Sequence, residues 1–356
     1  MKNLVWIMVA IVFVVIVFVL LQIVNSGMHE KNAILPSTAS PLTTTASTSI
    51  GPSSTTTIAS TSIGPSSTTT IKQASNITNI LNYTPLSITV PTTDPFNDPR
   101  GPYYHEVYVA TSKDGLNFAP GRLLWDHASV PGAVFVDNVM LVYYVDGTGS
   151  SPSGITVARS TDLGKTWTKY ALVLPEPIQS TCAPADPDPV YLGNGTIRLF
   201  LTCFTSIGGT SYIGTAASKD GITFTLDSSK KVLSPQGGRP YTDPDAIQAD
   251  GQWGLYVSQG PVDIAYNSTD GINFTEIGIV STTGAVSGSI ALVNGTIRHY
   301  FCGNNGIESA ISTTPSSDWR IEPGVRIPIG TNTTVCDPSP IILQNGTYML
   351  FYKIQP

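Results

Sequence analysis

The chain has 356 residues, 41% of them hydrophobic and 12% charged, with 18 basic against 24 acidic side chains and a formal net charge of -6 at pH 7. That balance is only mildly acidic, and the scattered Lys and Arg form no positive tract for a phosphate backbone, which argues against nucleic acid as a partner. The length allows one large domain with appended segments.

The first segment, "LVWIMVAIVFVVIVFVLLQIV" (Leu4 to Val24), is 21 residues without a charge, long enough to cross a bilayer as a helix. Positive charge on its short leading side predicts a cytoplasmic N-terminus and a single-pass anchor over 1–25, with everything later outside the cell membrane. A cleaved signal is the alternative, but no A-x-A-like site follows. Residues 26–97 then read as a disordered stalk: Pro36 to Ser75 is almost entirely Ser, Thr, Pro and isolated Ile, and "ASTSIGPSSTTTI" at 46–58 recurs unchanged at 59–71. Such composition cannot bury enough apolar surface to fold and suits a glycosylated spacer.

From about residue 98 to 356 the chain turns to alternating apolar residues, aromatics and Gly/Asn turns, the pattern of an all-β domain. Five segments stack: "VPGAVFVDNVMLVYYV" from Val130, "DPDPVYLGNGTIRLFLT" from Asp186, "DPDAIQADGQWGLYVS" from Asp243, "SGSIALVNGTIRHYFC" from Ser287 and "DPSPIILQNGTYMLFYK" from Asp337. Each is a strand, a tight turn such as Asn194-Gly195 or Asn345-Gly346, and a second strand. A third strand runs into a Ser-x-Asp-Gly turn at Ser112, Ser218 and Ser268, and into the longer S-x-D-x-G-x-x-W form from Ser160 to Trp167. The first such turn lacks a preceding hairpin and the last hairpin lacks a following turn. N- and C-terminal strands therefore complete one blade, and the prediction is a closed, five-bladed β-propeller.

First strands line a propeller's channel, so the residues opening the hairpins should ring one mouth: Val130, Asp186, Asp243, Ser287 and Asp337. Two positions on, along the same face, come Gly132, Asp188, Asp245, Ser289 and Ser339. Any single Asp-Pro before a strand is ordinary turn chemistry. Three at equivalent places bring five carboxylates together, which is why they are candidates for chemistry. Trp125, Asp126, His127, Arg239 and Tyr241 precede first strands and are candidate ligand-binding residues at the same mouth.

Blade number, Asp-Pro strand starts and S-x-D-G turns together resemble the arabinanase/xylosidase/invertase-like glycoside hydrolases, with sialidase-type Asp-box turns. The resemblance implies an inverting hydrolase with Asp337 as general base, Asp243 as general acid and Asp186 as modulator of the acid's pKa, Asp188 and Asp245 serving as sugar ligands. Inversion needs one carboxylate to deprotonate water and another, protonated, to protonate the leaving oxygen. The family has Glu where this chain has Asp243, and no Glu opens any hairpin, so the alternative is a non-catalytic carbohydrate-binding or adhesive surface propeller.

His105, His127 and His299 lack ligand spacing, so no transition-metal cofactor is expected; calcium among the mouth carboxylates is the one possible ion. Cys182 precedes the first strand of blade two and Cys203 ends its second, while Cys302 and Cys336 approach across neighbouring blades. The expected pairs are 182–203 and 302–336, in keeping with an oxidising compartment. Asn-x-Ser/Thr sequons such as Asn194, Asn267 and Asn294 are compatible with glycosylation. A closed ring predicts a monomer whose partners are carbohydrate and, through the N-terminal helix, the membrane.

Overall fold

The computed structural model describes Ile77 and residues 83–205, 210–227, 231–234, 240–280, 284–315, 318–331 and 333–356. All of them lie in the second of the two units into which the chain divides, Thr69–Pro356. The apolar segment 4–24, most of the expected stalk 26–97 and Arg239 lie outside the described residues. Ile77 and residues 83–97 of that stretch are described, and they touch the propeller, Tyr83 donating to Asp220 (2.6 Å) and the Leu86 N–H to the Lys169 carbonyl (2.7 Å), so the expected disordered stalk does not extend to residue 97. Among the described residues no helix is long and apolar enough to cross a membrane.

The chain begins its sheets with β1 (Glu106–Ser112) and β2 (Arg122–Asp126), which are the outer half of a blade finished only at the C-terminus. Blade one follows as β3 (Ala128–Val136), β4 (Val139–Asp146), β5 (Ile155–Ser160) and β6 (Thr168–Ala171). A short helix, α1 (Glu176–Thr181), leads to blade two: β7 (Ala183–Tyr191), β8 (Ile197–Phe204), β9 (Ser211–Ser218) and β10 (Thr225–Leu226). Blade three is β11 (Thr242–Ala249), β12 (Gln252–Gln259), β13 (Val262–Ser268) and β14 (Thr275–Ile279). Blade four is β15 (Ala285–Ala291), β16 (Ile297–Gly303), β17 (Gly306–Ser312) and β18 (Arg320–Pro328). Finally β19 (Thr334–Ile342) and β20 (Tyr348–Gln355) join β1 and β2 in the order β19-β20-β1-β2. The ring therefore closes as the order of the repeats predicts.

Apolar residues of the strands fill the seams between blades. Val134, Leu141 and Val157 of blade one meet Ile197, Leu199 and Leu201 of blade two in one buried cluster. The Ser-x-Asp-Gly turns fasten the same seams at the blade end where Ser112 lies opposite Tyr348. In each turn the serine hydroxyl donates to the aspartate and accepts from the glycine N–H, as in Ser112 to Asp114 (2.8 Å) and Gly115 to Ser112 (3.0 Å). Tyr300 of blade four then donates to the Gly115 carbonyl (2.8 Å), and Tyr143 of blade one to that of Gly221 (2.9 Å).

Each inner strand carries a β-bulge near its start, between Ser129/Gly132, Ala185/Asp188, Thr242/Asp245, Ala285/Ser287 and Cys336/Ser339. One residue in every bulge adopts a left-handed backbone: Val130 (φ 47°), Asp186 (49°), Asp243 (51°), Val286 (58°) and Asp337 (53°). Asp tolerates this region far better than a β-branched residue. In blade four the ring position therefore belongs to Val286, and two residues on to Gly288, not to Ser287 and Ser289 as the hairpin stack implies. The separation from Val286 to Cys302 is the same as from Asp186 to Thr202 and from Asp337 to Lys353.

The second tier explains how neighbouring inner strands hold together. Asp188 accepts the backbone N–H of Ala246 (2.8 Å), Asp245 that of Ser289 (2.9 Å), and Ser339 that of Ala133 (2.8 Å). At the two remaining seams the receiving position is Pro189 or Pro340, which has no N–H, and the facing residue is Gly132 or Gly288. Acceptor meets donor, and glycine meets proline. A Cβ on Gly288 would come within 1.9 Å of the Pro338 carbonyl oxygen. Gly288→Ala is expected to cost about 1–3 kcal/mol through overpacking, read as a thermal midpoint several degrees lower; an unchanged midpoint would show that this seam is loose.

Candidate functional site

The bulges turn Asp186, Asp243 and Asp337 of three different blades toward one constriction in the channel. Bulges commonly re-aim a side chain in this way, and they are frequent next to active sites. The constriction has a volume of about 30 Å³, bounded also by Val130, Val286 and Ser287. That is room for one or two waters. The Ser287 hydroxyl is buried there without a protein hydrogen-bond partner.

Three carboxylates at one place require a counter-charge, and Lys353 supplies it. Its ammonium lies 2.6 Å from Asp337 Oδ2, with both side chains largely buried. Burial pulls the Lys353 pKa down, but Asp337 at contact and the fields of Asp243 and Asp186 outweigh it, and the net shift is upward. Lys353 lies on β20 opposite Cys336, just before the bulge. Thr202 and Ser258 occupy the same place in their blades and accept the N–H groups of Asp243 (3.1 Å) and Val286 (2.9 Å). Cys302 stands there in blade four, its sulfur receiving the N–H of Asp337 at 3.2 Å.

Asp243 is a second enclosed carboxyl of the cluster. Burial, then the charges of Asp186 and Asp337, push its pKa well above the usual carboxylate range. Burial likewise raises Asp186, with a contribution from Asp337, although Asp186 Oδ2 accepts the Asp243 N–H at 3.3 Å. Both residues keep some exposed area, but only toward the narrow channel, so their carboxyl groups are enclosed by depth. One carboxyl of the cluster thus carries an ammonium partner and another has its pKa raised.

Asp188 and Asp245 lie one tier deeper, and both are engaged with the next blade's backbone. Asp245 also receives the Ser289 hydroxyl (2.7 Å) and lies 3.4 Å from His299 Nδ1, whose other nitrogen is 3.5 Å from Asp263. Burial opposes charge on His299, but the two carboxylates prevail and raise it to about 9. Among the flanking candidates, Asp126 is exposed, and His127, half-buried, stacks on Tyr103 with ring centroids 4.3 Å apart. Trp125 and Tyr241 do not reach the mouth. Trp125 is buried against Tyr144 and Trp167, and Tyr241 is buried with its hydroxyl accepting from Tyr266 at 2.9 Å. The paired disulfides are Cys182–Cys203 and Cys302–Cys336, as spacing along the hairpins predicts.

No family model matches the chain, and no curated protein sequence does. Solved structures similar to it include an α-L-arabinofuranosidase from Clostridium thermocellum, at 19% identity over 62% of this chain and 80% of that one, with a TM-score of 0.49. An endo-1,4-β-xylanase from Bacteroides thetaiotaomicron aligns at 18% identity over 62% and 82%, with a TM-score of 0.47. An endo-arabinase from the same organism aligns at 15% over 63% and 88%, also with 0.47. Likeness at this level carries no argument about chemistry; the five-bladed ring stands on its own strand pairing.

Lys353 is the charged member of the cluster that sequence reasoning missed. Its signal was present: Val145, Thr202, Ser258, Cys302 and Lys353 end the five stacked hairpins, and only one of them is charged.

Two outcomes follow from the cluster's electrostatics. Lys353→Met leaves Asp337 buried beside two further carboxyls and is expected to cost about 3–5 kcal/mol, a loss that shrinks in acid as the carboxylates take protons; urea unfolding measures it. Asp243 binds its proton more tightly in the folded chain than in the unfolded one. The stability it contributes is full below the ordinary carboxylate range and is lost as pH rises through its elevated folded value. Asp243→Asn should therefore flatten the fall in urea midpoint as pH rises above the ordinary carboxylate range, and a parallel pH profile in wild type and variant would contradict the assignment.

Proposed function

We propose that this propeller is a glycoside hydrolase of inverting type acting on neutral oligo- or polysaccharides. The observation that carries the reading is the unequal treatment of two carboxyls at one constriction: Asp337 ion-paired with Lys353, and Asp243 with its pKa raised by burial and by its neighbours. Pairs of titratable groups whose surroundings push them apart are how acid and base are assigned at one pH.

In this mechanism a water in the constriction gives a proton to the Asp337 carboxylate as its oxygen attacks the anomeric carbon. The glycosidic C–O bond breaks, and the leaving oxygen takes the proton of Asp243. The hydrolysed anomeric centre is inverted. Asp186 acts on Asp243 through its field and keeps that proton in place. The sugar itself sits above the constriction, since a 30 Å³ space admits water and no sugar ring. The apolar segment 4–24 and the Thr-rich stalk would hold the propeller on the outer face of a membrane, and two disulfides agree with an oxidising compartment.

A second reading, a carbohydrate-binding propeller without turnover, draws on the commitment of Asp188 and Asp245 to interblade hydrogen bonds, which leaves fewer carboxylates for chemistry.

The deciding measurement is turnover of aryl α-L-arabinofuranosides and β-D-xylosides by the purified full-length chain, with the product anomer followed by NMR. Asp243→Asn and Asp337→Asn are each expected to lower kcat by about 10²–10⁴-fold, with an inverted first product in wild type. Wild-type turnover in an Asp186, Asp243 and Asp337 triple alanine variant would sink the hydrolase reading.

A further inference from the structure

The hairpin turns that end the inner strands lie at the opposite end of the ring from the bulges. Each turn follows its bulge at the same interval: Asn194 comes eight residues after Asp186, Asn294 eight after Val286 and Asn345 eight after Asp337. Along an extended strand that interval spans roughly 25 Å. All three turns read Asn-Gly-Thr, an N-x-[ST] acceptor sequence. The equivalent turns of blades one and three, Asp137-Asn138 and Asp250-Gly251, lack it.

A tight hairpin needs Asn-Gly but not the Thr, and hydrogen bonding shows what the Thr adds. Asn194 Oδ1 accepts the Thr196 N–H (3.1 Å) and Asn345 Oδ1 that of Thr347 (3.0 Å), while Asn294 Oδ1 accepts both the N–H (3.2 Å) and the hydroxyl (2.7 Å) of Thr296. A carboxamide is planar, so an oxygen fixed back against the turn directs Nδ2 outward. All three Asn are exposed, and among the described residues no group engages their Nδ2. Asn273, whose sequon ends at Thr275, is built the other way: its Nδ2 donates to Asp270 Oδ2 at 2.7 Å inside a Ser-x-Asp-Gly turn.

On blade one the same end is covered by the chain itself. Ile77 is buried in one cluster with Val136 and Val139, which flank the Asp137-Asn138 turn, and Arg159 donates to the Ile77 carbonyl (3.4 Å). On blade four, by contrast, Val293 is fully exposed beside Asn294.

We propose that Asn194, Asn294 and Asn345 are N-glycosylation sites, so that the end of the ring away from the carboxyls carries three covalent oligosaccharides. At each, a bond forms from Nδ2 to the anomeric carbon of a lipid-phosphate-linked oligosaccharide as the bond from that carbon to the phosphate oxygen breaks. The lipid phosphate leaves with the electron pair, and the amide gives up one proton to the transferase. The first sugar on Asn294 covers Val293, and the carboxyl end stays clear of all three chains. The inference rests on the placement of the propeller outside a membrane and not on the hydrolase reading.

The test is peptide mass spectrometry, with fragmentation to locate each modified residue, on the full-length chain from the membranes of a host with an N-glycosylation pathway. Asn194, Asn294 and Asn345 should each carry a hexose-containing mass, and Asn273 should not. Thr196→Ala, Thr296→Ala and Thr347→Ala should each remove one glycan although the Asn remains, and Thr196→Ser, Thr296→Ser and Thr347→Ser should keep it. Modification of Asn273 in place of the turns, or glycans that survive the alanine substitutions, would overturn the assignment. So would bare turns in a chain whose Cys182–Cys203 and Cys302–Cys336 peptides are oxidised. Bare turns together with free thiols would overturn the placement outside the membrane as well, and leave the hydrolase reading to its own turnover assay.

Discussion

Every inner strand of this ring is the edge of its own sheet, so the N–H groups it turns toward the preceding blade have no strand to pair with. Their satisfaction is the constraint on which the rest depends. Side chains of the preceding blade accept them, Asp188 from Ala246, Asp245 from Ser289 and Ser339 from Ala133, and where a proline removes the donor a glycine removes the acceptor. Five strands can then approach one axis with these N–H groups satisfied. The bulge that begins each strand is part of this solution, because it shifts the register so that one tier latches and the other faces the channel.

Closure and chemistry draw on the same residue type for different reasons. An aspartate accepts a backbone N–H and tolerates a left-handed backbone, and both properties serve the ring. Asp188 and Asp245 are used in that way, with His299 braced between Asp245 and Asp263 behind them. Asp186, Asp243 and Asp337 sit in the bulges themselves, and there three carboxyls crowd around one ammonium. A structural role accounts for an aspartate at each bulge taken singly. It does not account for Lys353, which stands where other blades use a hydroxyl or a sulfur. That cation pairs with Asp337, while burial and neighbouring charge raise the pKa of Asp243, and the proposed acid–base chemistry rests on that difference.

The local pattern carried the architecture further than the site. Hairpin turns, alternating strands and the mismatch between first and last repeats implied a closed five-bladed ring, and the disulfide pairs followed from hairpin geometry. The carboxylate ring was legible for blades two and three and for the closing blade β19-β20-β1-β2. In blade four a one-residue choice of alignment favoured Ser287, whereas the left-handed bulge falls on Val286; an error of one residue moves a side chain to the other face of a strand. Trp125 and Tyr241 failed for the same reason: proximity in sequence to an inner strand says nothing about which face an aromatic ring will take, and both fill the core.

By itself, then, the order of residues determined the blade number, the mode of closure and the families of equivalent positions, because period-2 burial and turn chemistry are local and repeat with the chain. Tertiary structure alone decided which aspartates latch and which confront one another, and that Lys353 stands among them. These depend on approach between blades far apart in sequence, where burial and Coulomb interaction act through space and leave no periodic trace along the chain.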